Sequence, residues 1–297
     1  MLSAFTAPGR FWRGNIHGHS DASDGALAAD EVCRRYKSAG YDFVAVTDHF
    51  FDKYGYPITD TQAARCAEFT TIIGAELHAP ANGRGEIWHV LAVGLPIDFA
   101  PPSEGETGIA IARRAHKAGA FIAIPHPHWS QLTLADAREL SFAHAIEVYN
   151  HTSQVNCDRG DGLVLYDDAA TAGLRFAAIA TDDSHFRADD GFGGWVMVKA
   201  EENTPEALLA ALKAGHCYAS QGPEIHDLRR EGDELVVTTS PISAAMLVGP
   251  QAGSSRVHGE GLTETRLPLD LFLGRWCRLA IRDARGRRAW TSVLDLD

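Results

Sequence analysis

Residues 14–49 read GNIHGHSDASDGALAADEVCRRYKSAGYDFVAVTDH. An apolar run stops at two histidines. An amphipathic stretch follows and closes on Gly40, and a second apolar run, YDFVAVTD (41–48), stops against Asp48 and His49. Strand, helix, glycine, strand in that order predicts two parallel strands joined by a crossover helix. Within a strand, residues i and i+2 share a face. His17 and His19 are therefore expected to look the same way, with Gly18 leaving room between them. Two imidazoles on one face suit a divalent metal, whose charge Asp21 or Asp24 could neutralise. The plainer alternative is a strand end carrying two surface histidines.

The same alternation continues to about Gly222. Further apolar runs are FTTIIGAE (69–76), IWHVLAVGL (87–95), AFIAIPH (120–126), AIEVYN (145–150), LRFAAIATD (174–182) and GGWVMVKA (193–200). Amphipathic stretches ending in glycine lie at 107–119, 161–173 and 204–215, the last opening with Thr204-Pro205 as a cap and first turn. About seven such units are enough to close an α/β barrel. After Gly222-Pro223 the pattern changes to short alternating runs at 234–240, 244–248, 265–273, 276–282 and 288–294, separated by turn signals. The expectation is a barrel over residues 1–222 followed by a small antiparallel, sandwich-like β domain over 223–297.

Composition bounds the partners. Lys+Arg 27 against Asp+Glu 39 gives 27 − 39 = −12, a poor charge balance for gripping long nucleic acid. The five cysteines are widely spaced without CxxC, which argues against a disulfide framework and fits a reducing cytoplasm. No window approaches a membrane span and the N-terminus lacks a signal-peptide core, so a soluble intracellular protein is expected.

The fourteen histidines are not scattered. His17, His19 and Asp24 follow the first run; Asp48 and His49 end the second; Glu76 and His78 end the third. His89 lies just inside the fourth. His126 and His128 follow AFIAI, His151 follows AIEVYN, and Asp182, Asp183 and His185 follow AAIA. In α/β barrels the C-terminal strand ends meet at one mouth. Imidazole plus carboxylate without thiolate suits Zn, Mn or Fe. Two or three close cations need a bridging carboxylate, and Glu76, alone at its strand end, is the candidate. Such a cluster activates a bridging water and clamps the oxygens of a hydrolysed ester. No GxSxG, GxxxxGK[ST] or strand-following GxGxxG offers another mechanism.

HGHSDASDG, VTDH, the lone Glu76, WHVL, IPHPH and TDDSH, in this order, resemble the PHP (polymerase and histidinol phosphatase) family over about residues 14–222. That resemblance implies a distorted seven-stranded (β/α)7 barrel holding two or three divalent metals. The stretch GWVMVKAEENTPEALLAALKAGHCYASQGPEI (194–225) is similar to the end of the PHP domain in the CehA/McbA-like subgroup, which includes carbaryl hydrolase. Carried over motif by motif, the resemblance implies that His17, His19, Glu76 and Asp183 hold one metal. Glu76 bridges to a second held by His89 and His126, and Asp24, His49 and His185 hold a third. Asp48 then orients a ligand histidine. TDDSH offers both Asp182 and Asp183, and the spacing to His185 favours Asp183. Phosphatase members often follow the HP motif with GR, whose Arg clamps phosphate; here HPHW stands instead, so that clamp is missing.

Outside the ligand set, His128 and His151 are candidates for acid/base work or substrate contact, the alternative being pocket lining. His78, Trp129 and Asn150 are candidates for substrate contact, against a wall histidine, a packed aromatic and a strand-end amide. The function expected is a metal-dependent hydrolase of a small, phosphorylated ester, in which a metal-bridging hydroxide attacks a phosphomono- or phosphodiester. A carboxylic or carbamic ester is the alternative, and a non-catalytic metal-binding scaffold the alternative of another class. Oligomeric state stays open.

Overall fold

The computed structural model describes residues 3–294 and 296. After a short helix, α1 (Ser3–Thr6), come β1 (Arg10–Asn15), α2 (Ala29–Ser38), β2 (Phe43–Val44), β3 (His49–Phe50), β4 (Thr70–Thr71), β5 (Gly74–Ala79) and β6 (Trp88–Val93). Then follow α3 (Gly108–Lys117), β7 (Phe121–Ile124), α4 (Leu134–Glu139), β8 (Ala145–Asn150), α5 (His151–Cys157), α6 (Leu163–Thr171), β9 (Ala177–Thr181), β10 (Trp195–Ala200), α7 (Pro205–Lys213) and β11 (Cys217–Ser220). The remaining strands are β12 (Ile225–Glu231), β13 (Glu234–Val248), β14 (Ser254–Pro268), β15 (Arg278–Arg282) and β16 (Arg288–Thr291).

The opening unit forms as its pattern requires. β1 and β2 are parallel, with Gly14 opposite Phe43 and Asn15 opposite Val44, and α2 crosses between them. β1 stops at Asn15, however, so the HGH stretch lies beyond the strand. There it runs beside the end of β9 through an isolated parallel bridge, Gly18–Ser184, with Asp183 N–H donating to His17 O (2.9 Å) and His19 N–H to Ser184 O (2.8 Å). Gly18 eases this approach, because a Cβ there would sit 3.0 Å from Ser184 Oγ and the hydroxyl would have to give way.

The strands are arranged as a ten-stranded sheet and a six-stranded sheet, ordered β3-β5-β6-β7-β8-β9 in the latter. No continuous ladder closes them into a (β/α)7 barrel among the described residues. The expected second and third runs are each broken, β2 from β3 and β4 from β5, and the two sheets exchange at those breaks. β6 also departs from a parallel barrel. It pairs antiparallel with both β5 and β7, because residues 80–87 are too few and too polar for a crossover helix.

After Gly222 the strands are antiparallel, as expected, and they are joined to the first part of the chain. They continue the larger sheet through β11–β16, β16–β15 and β15–β13. The expected runs 234–240 and 244–248 are one long strand whose register shifts around Ile242. One hydrophobic cluster takes Leu165, Tyr166 and Phe176 from the first part together with Trp276, Trp290 and Val293 from the last. No helix of the described residues is long and apolar enough to cross a membrane.

Candidate metal centre

Strand register brings the site together. β3 and β5 are parallel with His49 opposite Glu76, and β5 and β6 pair with His78 opposite His89. Glu76 and His78 are i and i+2 on one strand and share a face. The chain segments after β1, β7 and β9 deliver His17 and His19, His126, and Asp183 and His185 to that same face.

Glu76 is fully buried, and imidazoles surround its carboxylate. Oε1 lies 2.9 Å from His89 Nδ1, 3.0 Å from His126 Nε2 and 3.6 Å from His17 Nε2. Oε2 lies 2.6 Å from His49 Nδ1, 3.3 Å from His78 Nε2 and 3.8 Å from His19 Nε2. Asp183 Oδ1 is 2.8 Å from His19 Nε2 and 3.3 Å from His17 Nε2. Asp24 Oδ1 is 3.3 Å from both His49 Nε2 and His185 Nε2. A cation held at about 2.1 Å keeps neighbouring donors roughly 3–3.5 Å apart, so most of these separations suit shared ions. Five overlapping sets of donors lie close enough to share a cation: His17, His19 and Glu76; His17, His126 and Asp183; Glu76, His89 and His126; His49, Glu76 and His78; and His19, Asp24, His49 and His185. None includes a cysteine.

Buried polar atoms without hydrogen-bond partners mark the same spot. His17 Nε2, His19 Nδ1, Asp24 Oδ1 and Glu76 Oε2 are all of this kind. Leaving such atoms unpaired is costly, and cations held among them would satisfy the imidazole and carboxylate lone pairs. The donor set thus fits divalent metals. Burial pulls His19 and His89 down to about 4, which keeps both imidazoles neutral ligands at pH 7. Burial alone would push Glu76 up, but neighbouring His89 and His49 hold it well below the usual carboxylate value.

Supporting contacts fix the rings. His17 Nδ1–H donates to Glu147 at 2.7 Å, which turns Nε2 inward. Glu147 also accepts from His126 N–H (2.7 Å), Thr181 Oγ1–H (2.7 Å) and Asn150 Nδ2–H (2.9 Å). His126 Nδ1 sits 2.9 Å from Ser130 Oγ, and His185 Nδ1–H donates to Asp183 O at 2.8 Å. Two of the residues so held carry left-handed backbone, His126 at φ 29° and Asp183 at φ 55°. Strain of this kind costs energy and clusters at functional sites.

A cavity of about 460 Å³ opens onto the cluster. Seven of the nine expected ligands line it, with Trp129, Ser153, Arg187 and Asp190 among the other residues of the wall. The half-exposed Trp129 ring lies 5.0 Å from that of His126 and 5.4 Å from that of His89.

Other expected residues fall elsewhere. His128 faces a separate cavity of about 340 Å³ beside Arg84, Asp161 and Asp168. His151 leans away, its Nδ1 2.8 Å from Tyr149 Oη and its ring against Gly193. Asn150 is buried behind the cluster, capping α5 through Ser153 N–H and donating to Glu147 and Asp183. His78 belongs to the cluster but does not line the cavity that opens onto it; it faces another cavity of about 510 Å³ beside Phe51 and Tyr56. Asp48 accepts from Ser20 N–H, Ser20 Oγ–H, Ser23 Oγ–H and Thr59 Oγ1–H, so it braces the loop carrying Asp24 instead of a ligand histidine. Asp182 faces away and accepts from Tyr36 Oη–H and the N–H groups of Phe192, Gly193 and Gly194. Sequence reading missed Glu147. Its signal was a lone carboxylate in the middle of the apolar run AIEVYN.

A scan of protein-family models finds no match, and a search of curated proteins finds none. Among solved structures, the chain is similar to a two-domain protein from Bacteroides vulgatus described as containing a predicted PHP-like metal-dependent phosphoesterase. The two are 16% identical over 98% of each chain, with a TM-score of 0.54. An amidohydrolase from Chromobacterium violaceum aligns over 60% of this chain and 89% of its own at 16% identity, with a TM-score of 0.43. A Bifidobacterium adolescentis protein assigned as a metal-dependent phosphoesterase aligns over 68% and 96% at 15% identity, also at 0.43. At those scores neither of the last two bears on the fold. The first likeness is one of architecture: along nearly its whole length the chain is folded like the PHP-like protein of Bacteroides vulgatus.

Proposed function

We propose that the chain is a PHP-type metal-dependent hydrolase of the CehA/McbA-like kind, acting on a small phosphorylated ester. The observation that carries the reading is Glu76, both of whose oxygens lie among imidazoles while Oε2 has no hydrogen-bond partner. His17, His19 and Asp183, then His89 and His126, then Asp24, His49 and His185 would hold two or three ions of Zn, Mn or Fe with Glu76 between them. Bound there, such ions would supply Lewis-acid stabilisation of the ester oxygens and a nucleophile at neutral pH. The protein's own part is to fix the ligand rings through Glu147, Ser130 and the Asp183 carbonyl, and to shape the cavity.

Phosphate is favoured over a carboxylic ester by Arg187. Among the described residues lining that cavity it is the one lysine or arginine, so the loop after His185 offers a guanidinium for an anion that HPHW does not clamp. Trp129 supports the second reading, a carboxylic or carbamic ester with an aromatic alcohol stacking on the exposed ring. The test compares metal-loaded enzyme on p-nitrophenyl phosphate, bis-p-nitrophenyl phosphate and naphthyl esters. Phosphoester turnover abolished by Glu76→Ala, with KM raised about tenfold or more by Arg187→Ala, is expected. Turnover of the carboxylic esters alone selects the second reading. Less than one metal equivalent after gentle purification points to a scaffold.

A further inference from the structure

His49 has two ring nitrogens and three neighbours competing for them. Nδ1 is 2.6 Å from Glu76 Oε2 and 2.7 Å from His78 Nε2, while Nε2 is 3.3 Å from Asp24 Oδ1. Of the two contacts at Nδ1, only the one to His78 is aligned as a hydrogen bond, and Glu76 Oε2 is left without a hydrogen-bond partner. From these contacts we infer that His78 is a positioning residue that accepts the Nδ1–H of His49, leaving the Nε2 lone pair for a cation shared with Asp24 and His185. The inference rests on the metal reading above and assigns His78 to building the third cation position, not to substrate.

The physical argument is one of tautomers. A neutral imidazole carries a single proton, so a proton on Nδ1 leaves Nε2 as the ligand atom. His185, another histidine of this group, is fixed the same way by donating Nδ1–H to the Asp183 carbonyl at 2.8 Å. His17 is fixed by Glu147. Each of these rings has a dedicated acceptor, and for His49 the dedicated acceptor is another histidine. Position explains the choice. His78 shares the face of Glu76 on β5 and is buried, with its ring 4.7 Å from that of His49 and 4.2 Å from that of His89. A carboxylate at residue 78 would stand beside Glu76 and repel it, whereas a neutral imidazole accepts the proton without adding charge. The same acceptor also keeps the His49 proton off Glu76 Oε2, so that oxygen stays available to bridge.

The competing arrangement has His78 Nε2, Glu76 Oε2 and His49 Nδ1 binding one cation directly, since these atoms also lie close together. That would take His49 away from Asp24. The two arrangements differ in which ring nitrogen of His49 keeps its proton once metal is bound: Nδ1 in the inferred one, Nε2 in the competing one.

The experiment loads wild type, His78→Ala and His78→Gln with Mn²⁺, removes excess by gel filtration and measures bound metal by mass spectrometry. Wild type is expected to hold three equivalents and His78→Ala two, through a 10- to 100-fold loss of affinity at one position only. His78→Gln, whose amide oxygen can accept the same proton, should return to three. Retention of three equivalents by His78→Ala overturns the inference, as does loss of two or more, or failure of His78→Gln to rescue. Wild type saturating at two equivalents overturns it while leaving the proposed hydrolase standing; wild type holding none removes both. Independently of any variant, long-range ¹H–¹⁵N NMR on the Zn²⁺-loaded wild type should find His49 protonated on Nδ1 with Nε2 free of a proton, and a proton on Nε2 overturns the inference.

Discussion

Glu147 ties two expected ligands to one carboxylate. Oε1 accepts from His17 and Thr181, and Oε2 from the His126 backbone and Asn150. Such acceptors set ring orientation and basicity, and their loss typically costs 10- to 100-fold in metal affinity. Glu147→Gln is therefore expected to weaken metal binding by about that factor in chelator competition, although Glu147 does not line the cavity at the cluster. Unchanged affinity would reduce Glu147 to a packing role. Neighbouring Asp182 and Asp183 give the complementary contrast. The sequence offers both, and spacing to His185 is the only clue that separates them. What separates them physically is a ring of donors to Asp182 from Tyr36 and residues 192–194, which come from distant stretches and have no local signature. Asp182→Ala strands those donors and is expected to cost roughly 3 kcal/mol in urea unfolding. Asp183→Ala should lose bound metal at a much smaller cost to the metal-free fold. The His, Asp and Glu residues that gather in the cluster were thus readable, because divalent metals draw on few side-chain types. The residues that aim them were not, because any acceptor of suitable reach can do that job.

At the scale of elements, α4 shows how the rim of the His128 cavity is held. Thr133 and Asp136 form a capping box, and Asp136 Oδ1 also accepts from Gly83 N–H at 2.8 Å, tying the β5–β6 connection to the start of the helix. Gly83 suits this position because a Cβ would sit 2.8 Å from that oxygen. Burial by itself would raise the Asp136 carboxyl, but the Thr133 and Gly83 donors hold it below its usual value. A carboxyl lowered on folding stabilises the protein above its unfolded pKa, and that stability is lost as pH falls through the folded value. Asp136→Ala should therefore cost about 1–2 kcal/mol above about pH 5. The gap between wild type and variant should close toward acid, as followed by urea unfolding at several pH values. A gap independent of pH would show that only packing was lost. The elements themselves were legible where helix and glycine punctuate parallel strands, as in β1–α2–β2. They were not legible where pairing is settled by distant partners. The break between β2 and β3, the antiparallel β6 and the length of β13 all depend on which sheet receives each segment, and local periodicity carries no information on that.

For the whole molecule, the question is whether residues after Gly222 fold apart from the rest. The change to short alternating strands reads as a boundary, yet the contacts across it are core contacts. β16 pairs with β11, Ser292 Oγ accepts from Ala178 N–H, and Tyr166 Oη accepts from Val293 N–H. Arg278, nearly buried, makes a two-pronged ion pair with Asp167 at 2.7 and 2.8 Å. Trp290 and Trp276 share a hydrophobic cluster with Leu165, Tyr166 and Phe176. Removing the C-terminal strands would uncover that cluster and leave β11 as an unpaired sheet edge, both of which promote aggregation. A chain ending at Gly222 is accordingly expected to be insoluble or molten, and the full chain to unfold in a single calorimetric transition. Asp167→Ala separates the two views with less damage. It leaves the Arg278 guanidinium without its partner, so it should destabilise the protein by roughly 3 kcal/mol, and the whole chain should melt together at the lower temperature. Two resolved transitions, with only one moved by Asp167→Ala, would instead establish residues 223–297 as a domain that folds alone and docks afterwards.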